Sequence, residues 1–196
     1  MSLAFHIKPE IRILGIDDSA LIRDNILIVG AFFRGGQWLD GVMRSEVTRD
    51  GLDATDRIVE MVTSSKHYDQ IRIIMLDGVT YGGFNPVDIV KLNEKTGIPV
   101  IVLMREVPDL EKIKRALHHL PDADKRLQMM MRAGRVIRTI SKETSNPVFI
   151  QCAGIEPCLA CEVVRLSSTR GNIPEPLRIA HMIATGIVCG ESRGKA

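Results

Sequence analysis

An α/β fold, built on a mixed sheet flanked by helices, follows from three features of the sequence. Two continuous apolar runs, residues 71–76 and 99–104, are separated by a helix-length segment, the pattern of a parallel strand–helix–strand unit with a right-handed crossover. Residues 25–33 (NILIVGAFF) and 38–49 are joined by Arg34-Gly35-Gly36-Gln37, a Gly-containing loop of β-hairpin length. Residues 12–17 (RILGID) form a further strand that ends on adjacent acids, Asp17 and Asp18. With 196 residues, 45% of them hydrophobic and 26% charged, one domain over 1–196 is the expectation. A chain of that length buries roughly 70% of its unfolded surface.

No apolar run reaches the length of a membrane span, and MSLAFHIKPE contains no signal-peptide core, so the expectation is a cytoplasmic protein. The net charge of +2 neither demands nor excludes a nucleic-acid partner. Cys152, Cys158, Cys161 and Cys189 read as thiols in a reducing compartment. Cys158-Leu-Ala-Cys161 has redox or metal spacing, but the fourth ligand of a zinc site is distant, and small buried side chains are the plainer reading.

In chain order, the strand at 12–17 carries an acid at its carboxyl end, where open α/β sheets place ligands. Asp17 continues the apolar strand most directly, although an acid there also suits a solvated turn. Trp38, at the hairpin, reads either as partial core or as a surface on which a base could stack. Asp53 precedes a helix over 54–65, with Ile58, Met61 and Val62 on one face. Asp53 as N-cap and Asp56 at the third helical position form a capping-box pattern, so both acids have a structural role available.

The strand at 71–76 runs into Asp77-Gly78, then Gly82, Gly83 and Asn85-Pro86. Glycines there permit positive φ and let a substrate backbone approach. Asn85 and Pro86 read as the N-cap and first turn of a helix over 87–95. Arg105 ends the strand at 99–104. Helices over 109–120 and 123–141 are split by Pro121, and residues 125–142 hold basic residues and no acid. Helical projection sets Arg132, Arg135, Arg138 and Lys142 opposite Leu127, Met130, Met131 and Ile137, which reads as a solvated face or a phosphate-binding one. A strand at 147–152, a helix over 157–166, a last helix over 177–188 opened by Pro174-Glu175-Pro176, and a frayed tail complete the chain.

The natural assembly sets the first strand parallel to the Asp77 strand, with Asp17 and Asp77 side by side and Asp53 or Asp56 completing a cluster. Carboxylates so close need a cation, and hard oxygen ligands suit Mg²⁺ or Mn²⁺.

GIDDS, DGLDATD, MLDGVTYGGFNP and PEPLRIAHMIATG together make the chain resemble the endonuclease V family, and more closely its archaeal endonuclease dU group. Asp77-Gly78 matches the family's second strand-end Asp-Gly, and Asn85-Pro86 stands where the family has His-Pro. The family's middle acid, a Glu, falls on Asp56 with Asp53 close behind, its lysine on Arg105, and its late Gly-His-Arg on Pro176-Leu177-Arg178. Thr48-Arg49-Asp50-Gly51 replaces the family's Tyr-Ile-Pro-Gly wedge.

The resemblance implies a ribonuclease H-like mixed five-stranded sheet and a metal-dependent endonuclease that hydrolyses phosphodiester bonds in nucleic acid, DNA or RNA, with deaminated or altered bases. It implies metal ligands among Asp17, Asp77, Asp53 and Asp56, with Arg105 stabilising charge. Nucleic-acid contacts would come from Gly78, Tyr81, Gly82, Gly83, Arg132, Arg135, Arg138 and Arg178. The alternative is a non-cleaving nucleic-acid or nucleotide-binding protein on the same fold. Oligomeric state is not legible in the sequence.

Overall fold

The computed structural model describes residues 7–142 and 146–194. The N-terminal stretch without a signal-peptide core therefore lies, through His6, outside the described residues. The elements are β1 (Arg12–Asp18), β2 (Asn25–Arg34), β3 (Trp38–Thr48), α1 (Ala54–Thr63), β4 (Ile73–Asp77), β5 (Thr80–Tyr81), β6 (Asn85–Pro86), α2 (Ile89–Thr96) and β7 (Val100–Met104). They continue with α3 (Leu110–Leu117), α4 (Ala123–Met131), β8 (Ile137–Thr139), β9 (Val148–Ala153), α5 (Pro157–Ser167) and α6 (Glu175–Cys189). No helix among the described residues is long and apolar enough to cross a membrane.

The main sheet has seven strands in the order β3-β2-β1-β4-β7-β9-β8, rather than the expected five. Strands β1, β4 and β7 are parallel, and β2 and β3 form the antiparallel hairpin. The additional strands extend the β7 edge, with β9 antiparallel to β7 and β8 antiparallel to β9. Strand β8 arises where the sequence reads as helix. Gly134, at φ 76°, ends the turn after α4, and the β-branched Val136, Ile137 and Thr139 then suit extended backbone. The expected single basic helix over 125–142 does not exist, so its charges do not share a face.

Strand parity sorts the core. Leu14, Ile16, Ile74, Leu76, Val100 and Val102 pack with Ile58, Val62, Ile89 and Leu92 of α1 and α2. Ile13, Ile73, Met75, Ile101 and Leu103 face Val163 and Val164 of α5 and Leu177 of α6. Gly15 shares this second face, and a Cβ there would fall inside the backbone of Pro176. The missing side chain thus lets α6 start directly on β1.

Two local expectations change. Asn85-Pro86 pairs with Thr80-Tyr81 in a small hairpin, and Asp88 caps α2 by accepting from the Lys91 amide at 3.0 Å. Residues 190–194 fold back on α6 rather than fraying, with Ser192 donating to the Met182 carbonyl at 3.1 Å.

Candidate active site

The register brings two acids together. Ile16 pairs with Leu76 in the parallel β1–β4 ladder, so Asp17 and Asp77 follow on adjacent strands about 4.8 Å apart, on the α6 face. Both line a cavity of about 810 Å³ with Asp18, Gly78, Arg105 and His181.

Asp17 is 5% exposed and accepts the Asp18 amide at 2.8 Å. Burial first, then the charges of Asp77 and Asp18, push its carboxyl up to about 7, against the opposing pull of the Asp18 amide and His181. Burial also raises Asp18, whose carboxylate accepts the Gly82 amide at 2.5 Å. Asp77 is gripped by Arg105, each carboxylate oxygen lying 3.2 Å from a guanidinium nitrogen. This two-point geometry is stronger than a lone ion contact.

His181 is the functional residue that sequence reasoning missed. Its Nδ1 lies 2.8 Å from Asp17 Oδ2, and its Nε2 donates to the Arg193 carbonyl at 3.0 Å. Both ring nitrogens therefore face oxygens. Satisfying both requires one proton more than a neutral imidazole beside an ionised carboxylate supplies. A signal was present, since His181 interrupts the buried stripe of α6 formed by Leu177, Ala180 and Ala184.

Asp53 and Asp56 do not join this cluster. Both belong to the α1 side of the sheet. Asp53 accepts from the Thr48 amide and hydroxyl and from Asn85 Nδ2, the last at 2.6 Å. Burial raises its carboxyl, but the hydrogen bonds of Asn85 and Thr48 outweigh it and leave the group below the usual carboxylate range. Nor does Asp53 cap α1 through its side chain, because Asn85 Oδ1 accepts the Ala54 amide at 2.9 Å instead. Asp56 is exposed and pairs with Lys91 at 2.6 Å. Among the described residues, no three His, Cys, Asp or Glu side chains group as a metal cage.

The expected nucleic-acid contacts scatter. Gly78 opens on the cavity, with φ 83° and free space where a Cβ would stand. Tyr81 is fully buried and its hydroxyl donates to the Ile16 carbonyl at 2.8 Å, so it braces the end of β1 and presents no face to a base. Burial drives its phenol well above its usual pKa. Gly82 is spent on Asp18, and Gly83 packs on Asp50. Arg132 pairs with the buried Asp88 at 2.7 Å, while Arg135 and Arg138 are exposed, in the turn and on β8. Arg178 grips Glu175 at 3.0 and 2.7 Å, outside the acid cavity. Arg126, one of the residues expected on the basic helix, is buried and donates to the carbonyls of Pro121, Gly51 and Phe84, tying three loops together.

The four cysteines are free, and Cys158 is exposed rather than packed in the core. Burial raises the Cys152 thiol.

Comparison with known proteins places the chain in a family. The family model described as endonuclease dU matches residues 9–188. A UPF0215 protein of Methanosarcina acetivorans is 59% identical over 196 residues, covering 100% of both chains. The crystal structure of a protein of unknown function from Archaeoglobus fulgidus is 40% identical with a TM-score of 0.82, over 90% of this chain and 97% of that one. Ciona intestinalis endonuclease V, in complex with a DNA containing an inosine, is 13% identical with a TM-score of 0.60, over 91% and 86% of the respective chains. That last likeness concerns the fold, which is ribonuclease H-like.

Proposed function

The chain belongs to the endonuclease dU family, and from that premise we propose that it is a divalent-metal-dependent endonuclease acting on nucleic acid with deaminated or otherwise altered bases. The observation that carries the reading is the convergence of Asp17 and Asp77 on one cavity with His181 and Arg105. The donor set fits Mg²⁺ or Mn²⁺. Two hard carboxylates are held side by side in a largely buried place, and burial first, then the charges of Asp77 and Asp18, raise Asp17 to about 7, a cost that a cation would relieve. Asp17 and Asp77 would hold the ion, and the chemistry it would supply when bound is polarisation of a phosphodiester and activation of water for attack.

The residues of the chain supply the rest. His181 orients Asp17 through Nδ1 and stands at the cavity wall as a group able to move a proton. Arg105, 45% exposed at its side chain against 11% for Asp77, is the partner open to an incoming group. Leaving Asp77 for a phosphate would put a planar two-point donor where charge develops during attack. Gly78 leaves room for a phosphate or an extruded base beside the acids. Asp53 and Asp56 keep structural roles in this reading.

The test is a cleavage screen with Mg²⁺ and Mn²⁺ over uracil-, hypoxanthine- and xanthine-containing strands, DNA and RNA, run beside Asp77→Asn. Product from the native chain and none from the variant supports the reading. Unchanged product from Asp77→Asn overturns it.

One observation favours the non-cleaving alternative. Arg105 already neutralises Asp77, and among the described residues no three acids group as a metal cage. That alternative predicts salt-sensitive binding of oligonucleotides with no metal-dependent product.

A further inference from the structure

A second cavity, of about 640 Å³, opens between the β2–β3 turn and the first two turns of α6. Its rim carries Trp38, the single tryptophan of the chain, which is 59% exposed. The partial-core reading of this residue therefore fails, and a flat aromatic surface is left in water. The wall also holds Glu175 and Arg170. Glu175 is buried, and its charge is already matched by Arg178 at 2.7 and 3.0 Å. Arg170 stands 3.9 Å from the same carboxylate with its side chain 78% exposed, so it brings a cation in excess of the local acid. Lys142, beside this wall rather than in it, donates to the carbonyl of the lining residue Thr169 at 2.6 Å.

The frame is stiff. Thr169 Oγ1 donates to the Gly36 carbonyl at 2.9 Å, and Gly36 lies so close to Ser167 that a Cβ would stand 2.7 Å from its carbonyl oxygen. The indole and Arg170 thus stand on two loops tied to each other, with Lys142 reaching in from the segment after β8. An open site combining an aromatic plane with cations that track a backbone is the chemistry that receives single-stranded nucleic acid. It lacks the enclosure a small free ligand needs.

We infer that this cavity binds a single strand of nucleic acid, with one base stacked on Trp38 and a neighbouring phosphate held by Arg170 and Lys142. The inference rests on the proposed action on nucleic acid. It also sets a footprint. Trp38 pairs with Arg34, and Arg34 with Arg12, five residues before Asp17, so the two sites lie about 17 Å apart along β1. At 3.4 Å per nucleotide of a stacked strand, that span sets a lower bound of about five nucleotides, since α6 lies on β1 between the two cavities and the connecting strand must pass around it.

Because Trp38 is the single tryptophan, its fluorescence reports this cavity alone. The test titrates the full chain, with chelator present, with a short oligothymidylate and a short oligouridylate, while the anisotropy of the labelled strands measures binding independently. The expected result is quenched Trp38 emission that follows the anisotropy curve, with binding weakened about tenfold in Trp38→Ala. The two arms show whether the deoxyribose or the ribose strand is preferred. Arg170→Gln, a change at an exposed side chain, should weaken binding and flatten its salt dependence. Strands that bind without moving Trp38 emission, and equally well to Trp38→Ala and Arg170→Gln, overturn the inference and leave the nucleic-acid reading standing. Strands that do not bind at all overturn the inference, and the metal-dependent cleavage screen then decides the nucleic-acid reading separately. A peptide or protein that quenches Trp38 where neither oligonucleotide does also overturns it.

Discussion

His181 Nδ1 and Asp17 Oδ2 meet at 2.8 Å across 164 positions of sequence. The contact exists because α6 lies flat on β1, where Gly15 offers no side chain to hold it away. It joins the last helix to the first strand inside the acid cavity, and makes the imidazole part of the proposed chemistry.

Replacing His181 with Ala should lower metal-dependent cleavage by about a hundredfold, in the range expected for a lost proton-transfer group. His181→Gln should keep the hydrogen bond to Asp17 but not the proton transfer. Its rate should stay low, and the pH–rate profile should lose a limb. Equal restoration by Gln would assign His181 a positioning role only.

The metal-free protein should lose stability as pH rises from about 4 to about 7. Burial, then Asp77 and Asp18, lift the Asp17 carboxyl from 3.8 to about 7 in the folded chain. Between those values the folded state holds a proton that the unfolded state has released. The contribution is complete below the unfolded value and is lost as pH climbs through the folded one, with a span of roughly 4 kcal/mol at most. Denaturant midpoints measured across that window should slope downward in the native chain and flatten in Asp17→Asn.

Adding Mn²⁺ should reverse that loss. At about a hundred times its Kd the ion should add ~2.7 kcal/mol of stability, read as a rise in Tm. Asp17→Asn and Asp77→Asn should each abolish the rise, whereas Asp56→Asn should not, because Asp56 is exposed on Lys91.

Arg105→Met should separate binding from catalysis. Removing the guanidinium frees Asp77, so Mn²⁺ should bind more tightly in calorimetry. Cleavage should nevertheless fall by about a hundredfold, as for a lost charge-stabilising donor. Faster cleavage would instead show Arg105 acting as a brake.

Gly15→Ala should destabilise the fold by about 3 kcal/mol, since the added methyl meets backbone rather than a yielding side chain. Any folded fraction should cleave poorly, because α6 would lift and withdraw His181 from Asp17. Urea unfolding monitored alongside activity checks both parts.

The strands around the site were legible because buried parallel strands announce themselves as unbroken apolar runs, and Asp17 and Asp77 end such runs. Asp53 and Asp56 misled because a helix N-terminus attracts acids for local reasons, and position in sequence does not reveal the face of the sheet on which the helix packs. Tyr81 misled because a tyrosine in a glycine loop looks exposed, whereas its hydroxyl has a buried carbonyl to satisfy. The basic segment misled because helical projection presumes a continuous helix, and Gly134 ends this one.

The order of apolar runs, turns and terminal acids in the chain was enough by itself to define a mixed α/β sheet with two carboxylates at neighbouring strand ends. Which third group joins them was decided only in three dimensions, because local periodicity specifies which face of an element is buried but not what it is buried against. The choice of His181 over Asp53 or Asp56 came from a long-range packing contact, α6 seated on Gly15, which no short stretch of sequence encodes.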